Sequence, residues 1–309
     1  MVALAPDSRA VLVVGGVGID TIVRVPSLPL AMADSIHVGP IIDYVAHTGN
    51  GVALGLLALG HATRLVDFVG TDTQAGLIHE RYRERGLDFR YLEHPSGTRR
   101  SVNLVSPDGR RLSLYDGRHP DTLTMPRATY LPLLESATHV HLSIVPWARE
   151  LFDDCQALGL AVSTDLHDWD GESDYYHDYA YRSDMVFLSA AVLSDRRDEV
   201  MQAILARGRA KFVVATDGAR GSYLLTRDGG PARHTPCVDL GLPIVDCNGA
   251  GDAFVCGFLH GLFGGLGYDE CMRLGAVSGT FACATHGTAE HILTAEMLAA
   301  FAQATSASW

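Results

Sequence analysis

The run Asp246-Cys247-Asn248-Gly249-Ala250-Gly251-Asp252-Ala253-Phe254 sets a carboxylate where an anion would bind. It follows an apolar strand end, Leu242-Pro243-Ile244-Val245, and opens an apolar helix over 251–263. Two glycines and an alanine at a helix start let bare backbone N–H groups approach an anion closely. Those unpaired donors and the helix dipole both favour negative charge there. An aspartate facing a bound phosphate is costly unless the carboxylate takes a proton from a nucleophile. The plainer alternative is that Asp252 is an N-cap or first-turn acid.

Two more runs carry chemistry of the same kind. Val213-Val214-Ala215-Thr216-Asp217-Gly218-Ala219-Arg220-Gly221 is a strand ending in small residues. Such an end lets the backbone pass close to a nucleotide, with the Thr216 hydroxyl beside it; a plain tight turn fits as well. The first strand ends in Gly18-Ile19-Asp20. An Asp after a strand is commonly a turn former. A carboxylate can also accept two hydroxyl hydrogen bonds from a polyol.

Asp246, Gly249, Ala250, Gly251 and Asp252 match the pattern Asp-Thr-x-Gly-Ala-Gly-Asp. Through it, and with the Thr216 turn upstream, the chain resembles the ribokinase-like (PfkB) sugar and nucleoside kinases over nearly its whole length. The resemblance implies an anion hole from the amides of Gly249, Ala250 and Gly251, with Asp252 as catalytic base. It implies an ATP site at Thr216, Gly218, Gly221, Asp246 and Asn248. Asp20, with Gly49, Asn50 and Asn103, would hold the acceptor. ATP and Mg²⁺ are the implied cofactors, and the family admits a monovalent cation. The implied acceptor is a hydroxyl of a neutral sugar or nucleoside.

The chain departs from the family at four places. The family's Gly-Gly-x-x-x-Asn reads Ala46-His47-Thr48-Gly49-Asn50-Gly51 here, so Gly51 stands at the asparagine position and Asn50 comes one residue early. Cys247 replaces the usual threonine. Ser189-Ala190-Ala191-Val192 stands where Asn-x-x-Glu organises Mg²⁺. Asp165 and His167 replace an Asp-x-Asn, which leaves Asp165 as the candidate metal ligand. The rival to a kinase is therefore a nucleotide- or sugar-binding regulator with weakened catalysis.

Other chemistries lack their residues. There is no Gly-x-x-x-x-Gly-Lys-Ser/Thr. Gly16-Val17-Gly18 has no third glycine of a dinucleotide fingerprint. His139-Val140-His141 has no third ligand in view for a structural metal. A net charge of −12 disfavours nucleic acid or anionic membrane as partner. The six cysteines form no C-x-x-C pair and suit buried thiols in a reducing cytoplasm. Met1 to Ala10 lacks the basic head and apolar core of a signal peptide.

These residues need a scaffold of alternating strands and helices. Strands are expected at 10–17, 36–45, 64–69, 139–144, 161–165, 185–188 and 212–216, with 221–226 antiparallel. Helices are expected at 51–59, 72–85, 146–158, 195–207, 251–263, 268–285 and 294–304. With 47% apolar residues and β/α alternation, the class is α/β with a mostly parallel sheet. The resemblance makes it a three-layer α/β/α sandwich, one domain over 1–309, with a small β-sheet lid from about 33–45 and 98–116. Arg99 to Tyr115 reads as a hairpin turning at Ser106-Pro107-Asp108-Gly109. So small a sheet needs a partner for its apolar face, either the cleft or a second subunit's lid in a homodimer. Its arginines read mostly as a solvated face. The aromatic segment 167–182 covers either a ligand or the core, with the core preferred.

Overall fold

A computed structural model of the chain describes residues 9–107, 110–287 and 289–305. The chain begins with β1 (Ala10–Val14), β2 (Gly18–Arg24), β3 (Ile42–Ala46) and α1 (Thr48–Ala58). Next come β4 (Thr63–Val69), α2 (Thr73–Arg85), β5 (Asp88–Glu93), β6 (Arg100–Val105) and β7 (Arg111–Asp116). The middle holds α3 (Arg127–Glu135), β8 (Ala137–Leu142), α4 (Leu151–Ala157), β9 (Val162–Asp165), α5 (His177–Arg182), β10 (Met185–Ser189) and α6 (Arg197–Arg207). The last part is β11 (Phe212–Thr216), β12 (Ser222–Thr226), β13 (Arg233–Thr235), α7 (Ala250–Phe263), α8 (Tyr268–Ala282) and α9 (Ala295–Ala304).

Nine strands form one sheet in the order β13-β12-β11-β10-β9-β8-β1-β4-β5. All its pairs are parallel except the two that join β11 to β12 and β12 to β13. The composition of β1 explains why the sheet is central. Its five residues are apolar and buried. Val11 and Val13 enter one core, and Leu12 and Val14 enter the other. A strand covered on both faces has no polar side to alternate with. Helices α1, α2, α7, α8 and α9 pack on the first face, and α3 to α6 on the second.

The second sheet is small, in the order β3-β2-β6-β7. Its inner strand β2 is a correction to the sequence reading, which ran the first strand over 10–17 and expected none over 18–24. Gly15 and Gly16 both take positive φ (75° and 78°) and break the chain between sheets. The expected strand 36–45 is also shorter, since only Ile42–Ala46 pairs. The hairpin of β6 and β7 forms as expected, and Asp108-Gly109 of its turn lie outside the described residues. Strand β5 and helix α3 were not anticipated. Segment 167–182 covers the core: Trp169 and Tyr179 are buried in the second cluster, and Tyr176 and Tyr181 pack against it.

One buried ion pair joins the two sheets. Asp67 on β4 is 0% exposed and Arg99, just before β6, is 3% exposed. Arg99 donates from Nη1 to Asp67 Oδ2 (2.7 Å) and from Nη2 to Oδ1 (2.9 Å). The same carboxylate accepts the Val17 N–H (2.8 Å), just before β2, and Arg99 also donates to the Val17 carbonyl (3.2 Å). Burial opposes the guanidinium's charge, and Asp67 overrides it and raises the Arg99 pKa. Arg99 is therefore no part of a solvated face. Replacing Arg99 with Ala strands a buried carboxylate and should cost about 3–5 kcal/mol. Urea unfolding of the Arg99→Ala variant checks this; a loss under about 1 kcal/mol, the size of an exposed pair, would contradict it.

Candidate active site

Parallel strands end together, so the carboxyl ends of β1, β9, β10 and β11 share one edge of the large sheet. Ligands of open α/β sheets bind at such an edge. The small sheet turns one face toward it. Strand register sets three side-chain rows on that face: Tyr44–Asp20–Ser101–Tyr115, Ile42–Ile22–Asn103–Ser113 and Arg24–Val105–Arg111. The opposite face carries Val23, Val102, Leu104, Leu112 and Leu114, and Leu112 and Leu114 are about half exposed. The apolar face of the small sheet therefore points away from the cleft, and its polar face lines it.

Helix α7 begins at the edge. Gly249 is its N-cap in the left-handed region (φ 77°), a state that glycine adopts without the clash a Cβ brings. The sequence reading began this helix at Gly251; it begins at Ala250. A Cβ on Gly251 would meet nothing nearer than Asp165 Oδ2 at 3.8 Å, so the first turn opens toward the end of β9. Asp252 follows in that turn, partly accessible. Its carboxyl packs on Gly51 of α1, where an added Cβ would lie 2.5 Å from Asp252 Oδ2. The family's asparagine cannot stand at Gly51 with Asp252 placed so. Burial pushes the Asp252 carboxyl well above the ordinary range, the Asp165 and Asp20 carboxylates add to the rise, and Arg111 opposes it.

The loop before α7 is tied to the small sheet. Asp246 accepts from Asn248 N–H (3.1 Å) and Nδ2 (2.8 Å), and from Arg24 of β2 (3.4 Å). Arg111 of β7 donates to Asn248 Oδ1 at 2.6 Å. Asp246 and Asn248 thus lie in the loop before α7, with their side chains spent on holding it. Arg24 and Arg111 were missed as site residues. Only strand register, which aligns 24, 105 and 111 in one row, points to them.

Of the acceptor candidates, Asp20 fits best. It is buried, and its Oδ1 lies 3.2 Å from His47 Nε2 without hydrogen-bond geometry. That oxygen has no hydrogen-bond partner among the described residues. Asn103 is buried on the same face. Asn50 is fully buried; its Nδ2 donates to the Val45 carbonyl (3.1 Å), and its Oδ1 has no hydrogen-bond partner among the described residues. Gly49 is likewise scaffold, because a Cβ there would lie 1.8 Å from the Gly15 carbonyl. His47 takes the left-handed backbone (φ 74°) at the family's second glycine position. Its Nε2 lies 3.2 Å from Ser101 Oγ, and its ring lies 5.7 Å from that of Tyr115.

The turn after β11 divides. Gly218 (φ 53°) has open space where a Cβ would stand, as a nucleotide-facing residue requires. Gly221 is needed for packing instead, since its Cβ would lie 2.2 Å from the Thr235 carbonyl. Thr216 Oγ1 reaches back to the Leu188 carbonyl (3.4 Å). Asp165 Oδ1 accepts the His167 N–H (2.9 Å), and His167 contacts Thr48 Oγ1 (3.0 Å). Among the described residues, no three His, Cys, Asp or Glu side chains gather to hold a metal. His139 and His141 share the Ser163 hydroxyl (2.7 and 2.9 Å), and burial lowers both to about 4 and about 3. That pair is core.

Residues 10–295 match the model of the pfkB family carbohydrate kinases. The chain belongs to that family. It is 45% identical over 279 residues to an acarbose 7(IV)-phosphotransferase from an Actinoplanes species, covering 90% of this chain and 93% of the relative. A microbiome-derived acarbose kinase of known structure is 46% identical, with TM-score 0.89 over 96% of this chain and 99% of that one. Arabidopsis thaliana ribokinase, complexed with ribose and ATP, has TM-score 0.80 at 18% identity over 96% and 99%, and shares the fold. The three-layer sandwich with a small second sheet is that of the family. Among the described residues no helix is long and apolar enough to cross a membrane.

The acidic cluster has a measurable signature. Asp165→Asn removes a carboxylate that now holds Asp252 neutral to higher pH. The pH at which Asp252 ionises should fall in that variant. Carboxyl-labelled NMR titration of Asp252 in both proteins checks this; an unchanged midpoint would refute the coupling.

Proposed function

We propose that this carbohydrate kinase transfers the γ-phosphoryl group of ATP to a hydroxyl of a neutral sugar, with acarbose the first candidate. The observation that carries the reading is the place of Asp252: in the first turn of α7, which opens toward Asp165, with burial and the neighbouring carboxylates raising its pKa. A base of raised pKa suits proton removal from a sugar hydroxyl near neutral pH. The 45% identical relative that is named a phosphotransferase favours an enzyme over a regulator.

The residues divide the work. Asp20, with its unpartnered Oδ1, accepts hydrogen bonds from acceptor hydroxyls and holds one of them against Asp252. Asp252 takes that hydroxyl's proton as the oxygen attacks the γ-phosphorus in line. The amides of Gly249, Ala250 and Gly251 stabilise the negative charge on the transferring group. Arg111 faces the same charge, since it already lowers the Asp252 pKa from across the cleft. The turn at Thr216 and Gly218 accommodates the nucleotide.

Asp165 would be the residue to help hold Mg²⁺, which would supply charge screening of the phosphates. A metal held mostly by phosphates and water needs no protein cage. Two carboxylates in the acceptor pocket would repel a sugar that is already phosphorylated. Nucleosides stay the weaker choice, because Trp169 is buried and cannot stack on a base. ATP as donor places the enzyme in the cytoplasm. The exposed Leu112 and Leu114 face suits a second copy's small sheet in a homodimer.

Kinetics, calorimetry and light scattering test this. Asp252→Asn should lower kcat by about 10²–10⁴-fold, because the amide cannot accept the proton. ATP binding by calorimetry should survive. Full turnover in the variant, or a sugar phosphate with higher kcat/KM than acarbose and every neutral sugar tried, would refute the reading. For the dimer, light scattering should find two copies in the parent and one in Leu114→Asp; a monomeric parent at high concentration ends that claim.

A further inference from the structure

The six cysteines fall into two groups. Cys155, Cys256 and Cys271 are buried core residues. Burial drives all three thiols up, to about 12 for Cys155 and about 11 for Cys271. The other three gather at the C-terminal end of α8. Cys283 caps that helix, and Cys237 Sγ lies 3.7 Å from Thr280 Oγ1 one turn earlier. Cys247 sits in the loop before α7, between Asp246 and Asn248. The loop and the helix end are already joined, because the Cys283 carbonyl accepts the N–H groups of Val245 (2.7 Å) and Asp246 (3.1 Å). Residue 247 directly follows this joined pair, and the Cys247 and Cys283 side chains are close enough to perturb each other's ionisation. Cys247 is exposed and Cys283 half-buried.

We infer that Cys247 and Cys283 form a reversible disulfide under hydroperoxide, and that this bond switches off phosphoryl transfer. The inference rests on the kinase reading of the loop. The contact with Cys283 lowers the Cys247 thiol to about 7 against burial and Asp246, which oppose ionisation. A thiolate that is accessible and has a second thiol at hand is the arrangement of a redox-sensing cysteine with its resolving partner.

The chemistry balances with hydrogen peroxide as oxidant. The Cys247 thiolate attacks one peroxide oxygen and the O–O bond breaks. The leaving hydroxide takes up the proton that Cys247 released and departs as water. Cys247 is now a sulfenic acid. The Cys283 sulfur attacks its sulfur, the S–O bond breaks, and the hydroxide leaves with the Cys283 proton as a second water. Two thiols lose two electrons, and one peroxide becomes two waters.

The consequence follows from geometry. A disulfide needs about 2.05 Å between sulfurs, well inside thiol contact. Closing that gap pulls residue 247 toward α8. Asn248, which holds Arg111, and Gly249, which starts α7, are the next two residues. A displacement of about 1 Å at such groups is enough to cost a large factor in rate.

The test uses the full chain, reduced and then treated with hydrogen peroxide. Peptide mass spectrometry after alkylation should find Cys247 and Cys283 linked, two mass units lighter than the separate thiol peptides. Phosphoryl transfer should fall by about tenfold or more and return with dithiothreitol. Cys247→Ser and Cys283→Ser, each compared with its own untreated rate, should form no such link and show no loss that dithiothreitol restores. If Cys283→Ser does not fold, Cys247→Ser at its exposed position decides alone. Separate alkylation of both cysteines in the treated parent overturns the inference. So does a link that leaves the rate unchanged, or an equal reversible loss in Cys247→Ser. Absence of phosphoryl transfer in the untreated parent would fail the kinase reading instead, while the mass measurement still reads the link.

Discussion

A single buried ion pair carries the arrangement of the two sheets. Asp67 belongs to the large sheet, and the chain on either side of it is apolar and buried. Its two oxygens take the Arg99 fork and the Val17 N–H, both from residues that lead into small-sheet strands. An apolar contact at this junction would tolerate sliding. A bidentate guanidinium–carboxylate pair accepts one orientation. Everything in the cleft depends on that orientation, since Asp20, Asn103, Arg24 and Arg111 are on one sheet and Asp165 is on the other.

The cleft is built from opposed charges that are not neutralised pair by pair. Asp20, Asp165 and Asp252 converge from β2, β9 and α7, and Arg111 reaches them from β7. The arginine is anchored on a neutral oxygen of Asn248 rather than on a carboxylate. Its charge therefore remains available to an anion. On the proposed reading, an acidic protein would keep a local place for phosphate in this way: the net charge describes the surface, while one oriented guanidinium and a helix start describe the site.

Local features were legible in the sequence and distant ones were not. The loop 246–252 is a contiguous run whose glycines, acid and following apolar helix state its geometry together, and the structure keeps that geometry. Helix α2, with Asp72 capping it and Gly86 ending it in the left-handed region, was equally plain. Strand β2 was missed because its alternating Gly18–Arg24 pattern follows directly on an apolar strand, and only a two-glycine break separates them. The Arg111–Asn248 contact spans 137 positions and has no local signal. Asn50 is buried for a related reason. Counting along the chain puts it near the family's asparagine, yet one residue on a helix is about 100° of rotation, enough to turn a side chain from the cleft into the core.

His47 ties the shape of the cleft to backbone strain. A non-glycine residue in the left-handed region is strained by about 1 kcal/mol or more. Its imidazole nevertheless stands beside Asp20, Ser101 and Tyr115 on the cleft face of the small sheet. The ring is accommodated because Gly18 has no side chain; a Cβ there would lie 2.2 Å from it. A return to glycine at 47 relaxes the backbone and widens the pocket at once. One position thereby couples the width of this end of the cleft to strain in the backbone that carries it.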